Sequence, residues 1–205
     1  MRLDAHQHFW KYGAGQYPWI EPDSPLRRDF LQEDLRVLQR GRFDGSIAVQ
    51  ARQSLDESRW LLALADASPS ILGVVGWVDL RSDRAEQSLA ELAAHPRFVG
   101  VRHVVQDEPD DQFMLRPDFL NGIRLLKKFD LTYDILIFPK QLRAGIELAR
   151  QFPEQPFVLD HLAKPLIREG ILSPWREEIR ELARLENVFC KISGLVTEAD
   201  WKSWT

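Results

Sequence analysis

The chain has a single cysteine, Cys190. One thiol excludes an internal disulfide and fits a reducing compartment. Long apolar runs are missing too, and none approaches the roughly 20 residues needed to cross a bilayer. The opening residues, Met1-Arg2-Leu3-Asp4-Ala5-His6, lack a basic stretch followed by an apolar one. No signal peptide is therefore expected, and cytoplasm is the default location. Charge of one sign never accumulates: 27 Lys and Arg stand against 31 Asp and Glu, giving a formal charge of -4 and a pI near 5.8. That balance gives no electrostatic reason to expect nucleic acid or an anionic membrane as partner. Glycine-rich phosphate loops are absent from the strand exits, which argues against an open nucleotide-binding sheet. Ser193, in Ile192-Ser193-Gly194, lacks the G-x-S-x-G setting of a serine nucleophile.

What is present is alternation. Short apolar runs rich in β-branched residues occupy 2–9, 45–50, 72–78, 99–105, 131–138, 157–162 and 188–192. Helical spacing fills the stretches between them. Leu31, Leu35 and Leu38 recur at i, i+4 and i+7, which predicts one helical face. Ser54 with Glu57, and Asp83 with Glu86, have the spacing of capping boxes. Pro139 suits a first helical turn, and Ser173-Pro174 reads as an N-cap followed by the first helical residue. The segment 12–28, rich in Gly and Pro, reads as a loop after the first strand. Strand, helix, strand, repeated throughout, implies parallel strands joined by right-handed crossovers. Polar residues recur at the C-terminal ends of these strands, where a (β/α) barrel puts its chemistry.

The expected fold is therefore α/β, a (β/α)8 TIM-type barrel. A closed barrel needs eight strands, and about seven are legible. Residues 1–205 read as one domain lacking its last strand and helices, incomplete at the C-terminus. Thr197-Glu198-Ala199-Asp200 reads as a helix start, with Trp201 and Trp204 as inward anchors.

The candidate chemistry begins with His6 and His8. Two apart on a strand, their side chains point to one face. Paired imidazoles suit a divalent metal, and the plain alternative is ordinary packing. His161 ends an apolar run, just before Leu162-Ala163-Lys164-Pro165. Arg102 and His103 end another. Arg102 is suited to binding a carboxylate or polarising a carbonyl. Adjacent strand residues face opposite ways, so both reach one site only if the strand bends. Gln50 and Trp77 also close strands and are candidates to line the pocket. Cys190 reads as a small core residue, His95 as a turn residue, and Lys164 as a loop lysine.

The sequence resembles the amidohydrolase-2 family, in its sugar-lactone hydrolase branch of fuconolactonase-like and rhamnonolactonase-like proteins. The resemblance rests on Asp4-Ala5-His6-Gln7-His8-Phe9-Trp10, Gly100-Val101-Arg102-His103, Leu159-Asp160-His161-Leu162-Ala163-Lys164-Pro165 and Lys191-Ile192-Ser193-Gly194-Leu195. These segments fall in the family's order. The resemblance implies a barrel of the metal-dependent hydrolase kind that opens a small cyclic ester. It casts His6, His8 and His161 as catalytic residues and as ligands of one divalent ion at most, with Zn as the cofactor. Arg102, His103, Gln50 and Trp77 are expected to bind substrate. The implied partner is a small-molecule lactone, with oligomers compatible. The family's eighth strand ends in a Gly-Ser-Asp-Trp-Pro-like segment whose Asp acts in catalysis, and nothing in these 205 residues matches it. Weak or absent activity is therefore expected of the chain alone. The fifth strand offers no His or Lys for a bridged two-metal site. The rival readings are a decarboxylase or C–C hydrolase of the same barrel class, or a non-catalytic fragment needing a complementing segment.

Overall fold

In the computed structural model, which describes residues 1–203, seven strands form one sheet in sequence order. They are β1 (Leu3–Gln7), β2 (Gly45–Val49), β3 (Ile71–Gly76), β4 (Phe98–Val104), β5 (Thr132–Leu136), β6 (Phe157–Leu159) and β7 (Val188–Cys190). Every neighbouring pair is parallel. The helices between them are α1 (Gln32–Gln39), α2 (Leu55–Ala67), α3 (Ala85–Ala93), α4 (Pro117–Leu126), α5 (Leu142–Gln151) and α6 (Trp175–Leu182), with α7 (Leu195–Glu198) after β7.

The sheet is curved, as its side chains show. Strands lie about 4.8 Å apart, so β1 and β6 in a flat sheet would be separated by about 24 Å. Yet His6 Nδ1 on β1 sits 3.4 Å from Asp160 Oδ1 just beyond β6. Only a sheet rolled toward a barrel brings them together.

The helices clad the outer surface. Leu61, Leu89, Phe119, Ile123, Leu142 and Ile146 are fully buried against Val74, Val101, Tyr133 and Ile135 of the strands. Gly122 of α4 lies so close to the chain that a Cβ there would sit 2.1 Å from the Leu80 carbonyl oxygen.

Several local expectations need correction. Ser54 does precede α2, but Glu57 does not close a box with it. The Glu57 carboxylate instead accepts the N–H groups of Ala51 (3.0 Å) and Arg52 (2.9 Å), stapling the loop that leaves β2. Helix α3 starts at Ala85, with Arg84 rather than Asp83 at its N-cap. A short 3-10 turn from Pro139 to Gln141 precedes α5, and Pro174 rather than Ser173 caps α6. Of the Leu31, Leu35, Leu38 face only Leu35 is buried, whereas Leu38 is exposed. Cys190 is exposed rather than packed in the core, because β7 has a strand on one side only among the described residues. The last helix begins at Leu195, and Trp201 is 72% exposed instead of anchored inward. Trp204 lies outside the described residues.

Candidate active site

Parallel register decides which side chains meet. Arg102 of β4 pairs with Asp134 of β5, and Asp134 pairs with Val158 of β6. Register partners share a face and strand side chains alternate, so Asp160, two beyond Val158, falls on the same face. Phe189 of β7 pairs with Val158, which sets Lys191 on that face as well. His6 and His8 supply it from β1. The sheet thus gathers His6, His8, Arg102, Asp134, Asp160 and Lys191 inside its curve.

Their contacts form one chain. Arg102, 3% exposed, donates from Nη1 to Asp160 Oδ2 (2.9 Å) and lies 3.3 Å from His6 Nε2. Its Nη2 donates to the Gln50 carbonyl. Asp160 is fully buried, and its Oδ1 lies 3.0 Å from Lys191 Nζ. Lys191 also donates to Asp134 Oδ2. Asp160 Oδ1 and His6 Nδ1 face each other at 3.4 Å without hydrogen-bond geometry. Burial alone would raise the Asp160 pKa. His6 beside it, with the charges of Arg102 and Lys191, holds it well below the ordinary carboxylate range. Asp134 goes the other way: burial and the Asp160 charge push it up to about 6.

The three site histidines are held neutral, chiefly by burial. His6 is lowered despite Asp160, His8 lies well below its ordinary value, and His161 is lowered to about 4. Backbone strain fixes His161. Residues His161, Leu162, Ala163 and Lys164 all have positive φ, between 50° and 56°. Left-handed backbone costs about 1–2 kcal/mol per non-glycine residue, so this turn needs bracing. Trp175 Nε1 donates to the Leu162 carbonyl (2.7 Å), and Ser193 Oγ meets His161 Nδ1 (2.9 Å). Gly194, itself at φ +70°, leaves room for the ring: a Cβ there would lie 2.9 Å from His161.

The donors suit one metal ion. A carbonyl only accepts, so His8 Nδ1 donates to the Val49 oxygen (2.8 Å) and its Nε2 carries a lone pair. That lone pair faces His6 Nε2 at 3.1 Å. Two nitrogens bound tetrahedrally to Zn²⁺ at about 2.05 Å would stand about 3.3 Å apart. Ligand atoms of His6, Asp160 and His161 also lie within 4.8 Å of one another.

The structure brings together His6, His8, His161, Arg102 and Gln50 of the expected residues. Gln50 braces Arg102 through its backbone. His103 and Trp77 form a separate pair. The Trp77 Nε1 donates to His103 Nδ1 (3.4 Å), while His103 Nε2 meets Glu108 (2.6 Å) and its ring stacks on Phe113 at 4.8 Å. Strand alternation is the reason: β4 stays regular, so Arg102 points inward and His103 points to the helices. Sequence reasoning missed Asp134, Asp160, Lys191 and Ser193 as cluster members. A lone carboxylate inside the apolar run Leu131–Phe138 was the available signal for Asp134.

A curled parallel sheet with neutral histidines, an arginine and buried carboxylates at its strand exits defines a barrel hydrolase site with a metal-capable donor set. The chain belongs to the amidohydrolase family, whose model (Amidohydro_2) matches residues 3–205. L-fucono-1,5-lactonase of Burkholderia multivorans (strain ATCC 17616 / 249) is 42% identical over 210 residues, spanning 98% of this chain and 71% of that protein. L-fucono-1,5-lactonase of Burkholderia ambifaria (strain ATCC BAA-244 / DSM 16087 / CCUG 44356 / LMG 19182 / AMMD) is 39% identical, spanning 97% of this chain and 69% of that one. A crystal structure of a B. multivorans amidohydrolase with bound Zn superposes with a TM-score of 0.91 at 43% identity, covering 98% of this chain and 72% of that one. Amidohydrolase 2 from Bifidobacterium longum subsp. infantis, at 22% identity and a TM-score of 0.72 over 94% of this chain and 73% of that one, shares the fold.

Proposed function

We propose that this enzyme opens small sugar-acid 1,4- or 1,5-lactones, with L-fucono-1,5-lactone the first substrate to test, by water attack on the ring carbonyl. The observation that carries the reading is Arg102, a buried guanidinium at the centre of the cluster. The resemblance of the chain to lactonases at 42% and 39% identity supports it.

Attack on the carbonyl carbon places negative charge on its oxygen. The permanent charge of Arg102, in a site that excludes water, stabilises that oxyanion far better than solvent would. Asp160 and the Gln50 carbonyl hold the guanidinium in place, so little reorganisation accompanies the reaction. His161 is neutral at neutral pH and engaged at Nδ1, which leaves its Nε2 lone pair as the one that can ligate a metal. A Zn²⁺ at this site would be held by His6, His8 and His161, with Asp160 beside them, and would supply a Lewis acid and lower the pKa of bound water to about 7. The ring C–O bond breaks, a proton given up by the attacking water passes to the ring oxygen, and the resulting open-chain hydroxy acid ionises, releasing one proton to solvent. His103 and Trp77 bear on this site from its rim, by shaping the β3 and β4 exits. The wider setting proposed is carbohydrate metabolism in the cytoplasm.

The test is a panel of sugar-acid lactones followed by proton release, with carbon dioxide release from aromatic acids measured alongside. Proton release on lactones without carbon dioxide is expected. Each assay is repeated on the chain joined to a Gly-Ser-Asp-Trp-like eighth-strand segment, where a higher rate is expected. Failure of both proteins to open any lactone above the buffer rate overturns the reading. Equal rates would remove the eighth-strand carboxylate from the catalytic role that the resemblance implies.

A further inference from the structure

Lys191 directly follows β7, and its neighbours in the chain are exposed. Phe189 is 62% and Ile192 81% exposed, and Cys190 is exposed as well. The Lys191 side chain, by contrast, reaches into the cluster and is only 10% exposed. Its backbone N–H donates to the Leu159 carbonyl (2.9 Å), which registers it beside Asp160. Its ammonium bridges two buried carboxylates from different strands, Asp134 and Asp160.

Two carboxylates this deeply buried are not tolerated as a bare pair, since each ion loses its hydration and repels the other. Lys191 supplies the cation that makes the pair stable. The buried charges then balance: Asp134 and Asp160 against Arg102 and Lys191. A dication between the same two carboxylates would do the same electrostatic work, because carboxylates with a neighbouring imidazole suit a hard or borderline metal. We propose that Lys191 is a built-in cation of the cluster. It is a positioning residue whose ammonium occupies the point between Asp134 and Asp160 that a divalent ion would otherwise take. It aims Asp160 at Arg102 and His6, and it limits the site to one metal. The inference concerns the architecture of the cluster and holds whichever ester is the substrate.

The experiment compares the wild-type chain with Lys191→Met, Lys191→Arg and the double variant Asp134→Asn/Lys191→Met. Each is equilibrated with Zn²⁺, freed of excess ion and analysed for bound metal, with thermal midpoints recorded with and without Zn²⁺. Lys191→Met is expected to retain one more Zn²⁺ per chain than the wild type and to gain more in Tm from Zn²⁺. Lys191→Arg and the double variant are expected to match the wild-type stoichiometry, because one keeps the cation and the other removes a carboxylate. Should Lys191→Met be insoluble, recovery by Zn²⁺ in the refolding buffer or by the added Asp134→Asn change supports the proposal. Failure of both to recover it overturns the proposal. Equal metal content in Lys191→Met and wild type also overturns it, as does extra metal that persists in the double variant. None of these readouts depends on lactone hydrolysis, so they stand apart from the functional reading.

Discussion

Removing the guanidinium of Arg102 strips Asp160 of its nearest cation and the developing oxyanion of its donor. Arg102→Met is expected to lower stability by about 3–5 kcal/mol, the range for breaking a buried ion pair. It is also expected to lower kcat by about 10²–10³-fold, as for loss of one oxyanion donor. Denaturant titration and steady-state kinetics measure the two effects separately. Gly194→Ala tests the strained turn, since its Cβ would meet the His161 ring while φ stays at +70°. A loss of about 1–2 kcal/mol is expected from the backbone conformation alone, with more from the clash. Urea unfolding reads the sum. The titrating groups give a pH prediction. His6, His8, His103 and His161 all have lowered values, so the unfolded chain binds protons that the folded chain refuses. Their contribution is complete above the unfolded value of 6.5 and is lost as pH falls, for His161 down to about 4. Asp134 and Glu57 oppose them: burial raises both, so each gains a proton in the folded state before it would in the unfolded chain, Asp134 as pH falls from about 6. Four histidines outweigh two carboxyls, so the urea midpoint is expected to drop between pH 6.5 and 4. A midpoint flat across that window would contradict neutral buried histidines.

Elements were largely legible because their signals are local. All seven strands overlap the apolar runs read from the sequence, with β3 and β4 starting one residue earlier and the ends differing by up to three residues. His6, His8 and His161 were legible for a different reason, as polar residues at strand exits in family segments. Arg102 and His103 show where reading stops. Alternation said that only one could face inward, but choosing between them needs the register Arg102–Asp134, a contact between strands. Lys191 and Asp134 are 57 residues apart, so sequence spacing alone gave no way to join them. Capping-box spacing misled at Ser54 because the Glu57 carboxylate found two backbone donors in the β2 exit loop instead. At this scale, the docking of α4 makes a sharp prediction. Gly122→Ala would put a methyl group 2.1 Å from the Leu80 oxygen, forcing the helix outward. A loss of about 1–3 kcal/mol is expected, as for other overpacked sites. Equilibrium unfolding checks it, and lactone kinetics at saturation should move little because α4 contributes no residue to the cluster.

Across the whole molecule, function depends on curvature. Residues from β1, β4, β5, β6 and β7 meet only because the sheet rolls up, so the site is a property of the sheet rather than of any strand. The ion pairs between those strands join the site to the stability of the roll. This junction, centred on Arg102, is the proposed lactone-opening site. The most direct measurement is pH-stat hydrolysis of L-fucono-1,5-lactone by the chain carrying a Gly-Ser-Asp-Trp-like eighth-strand segment, with and without Arg102→Met. Ring opening well above the uncatalysed rate is expected, with a loss of about 10²-fold or more in kcat on substitution. An identical rate in a folded Arg102→Met protein, or no ring opening above buffer in either, would contradict it.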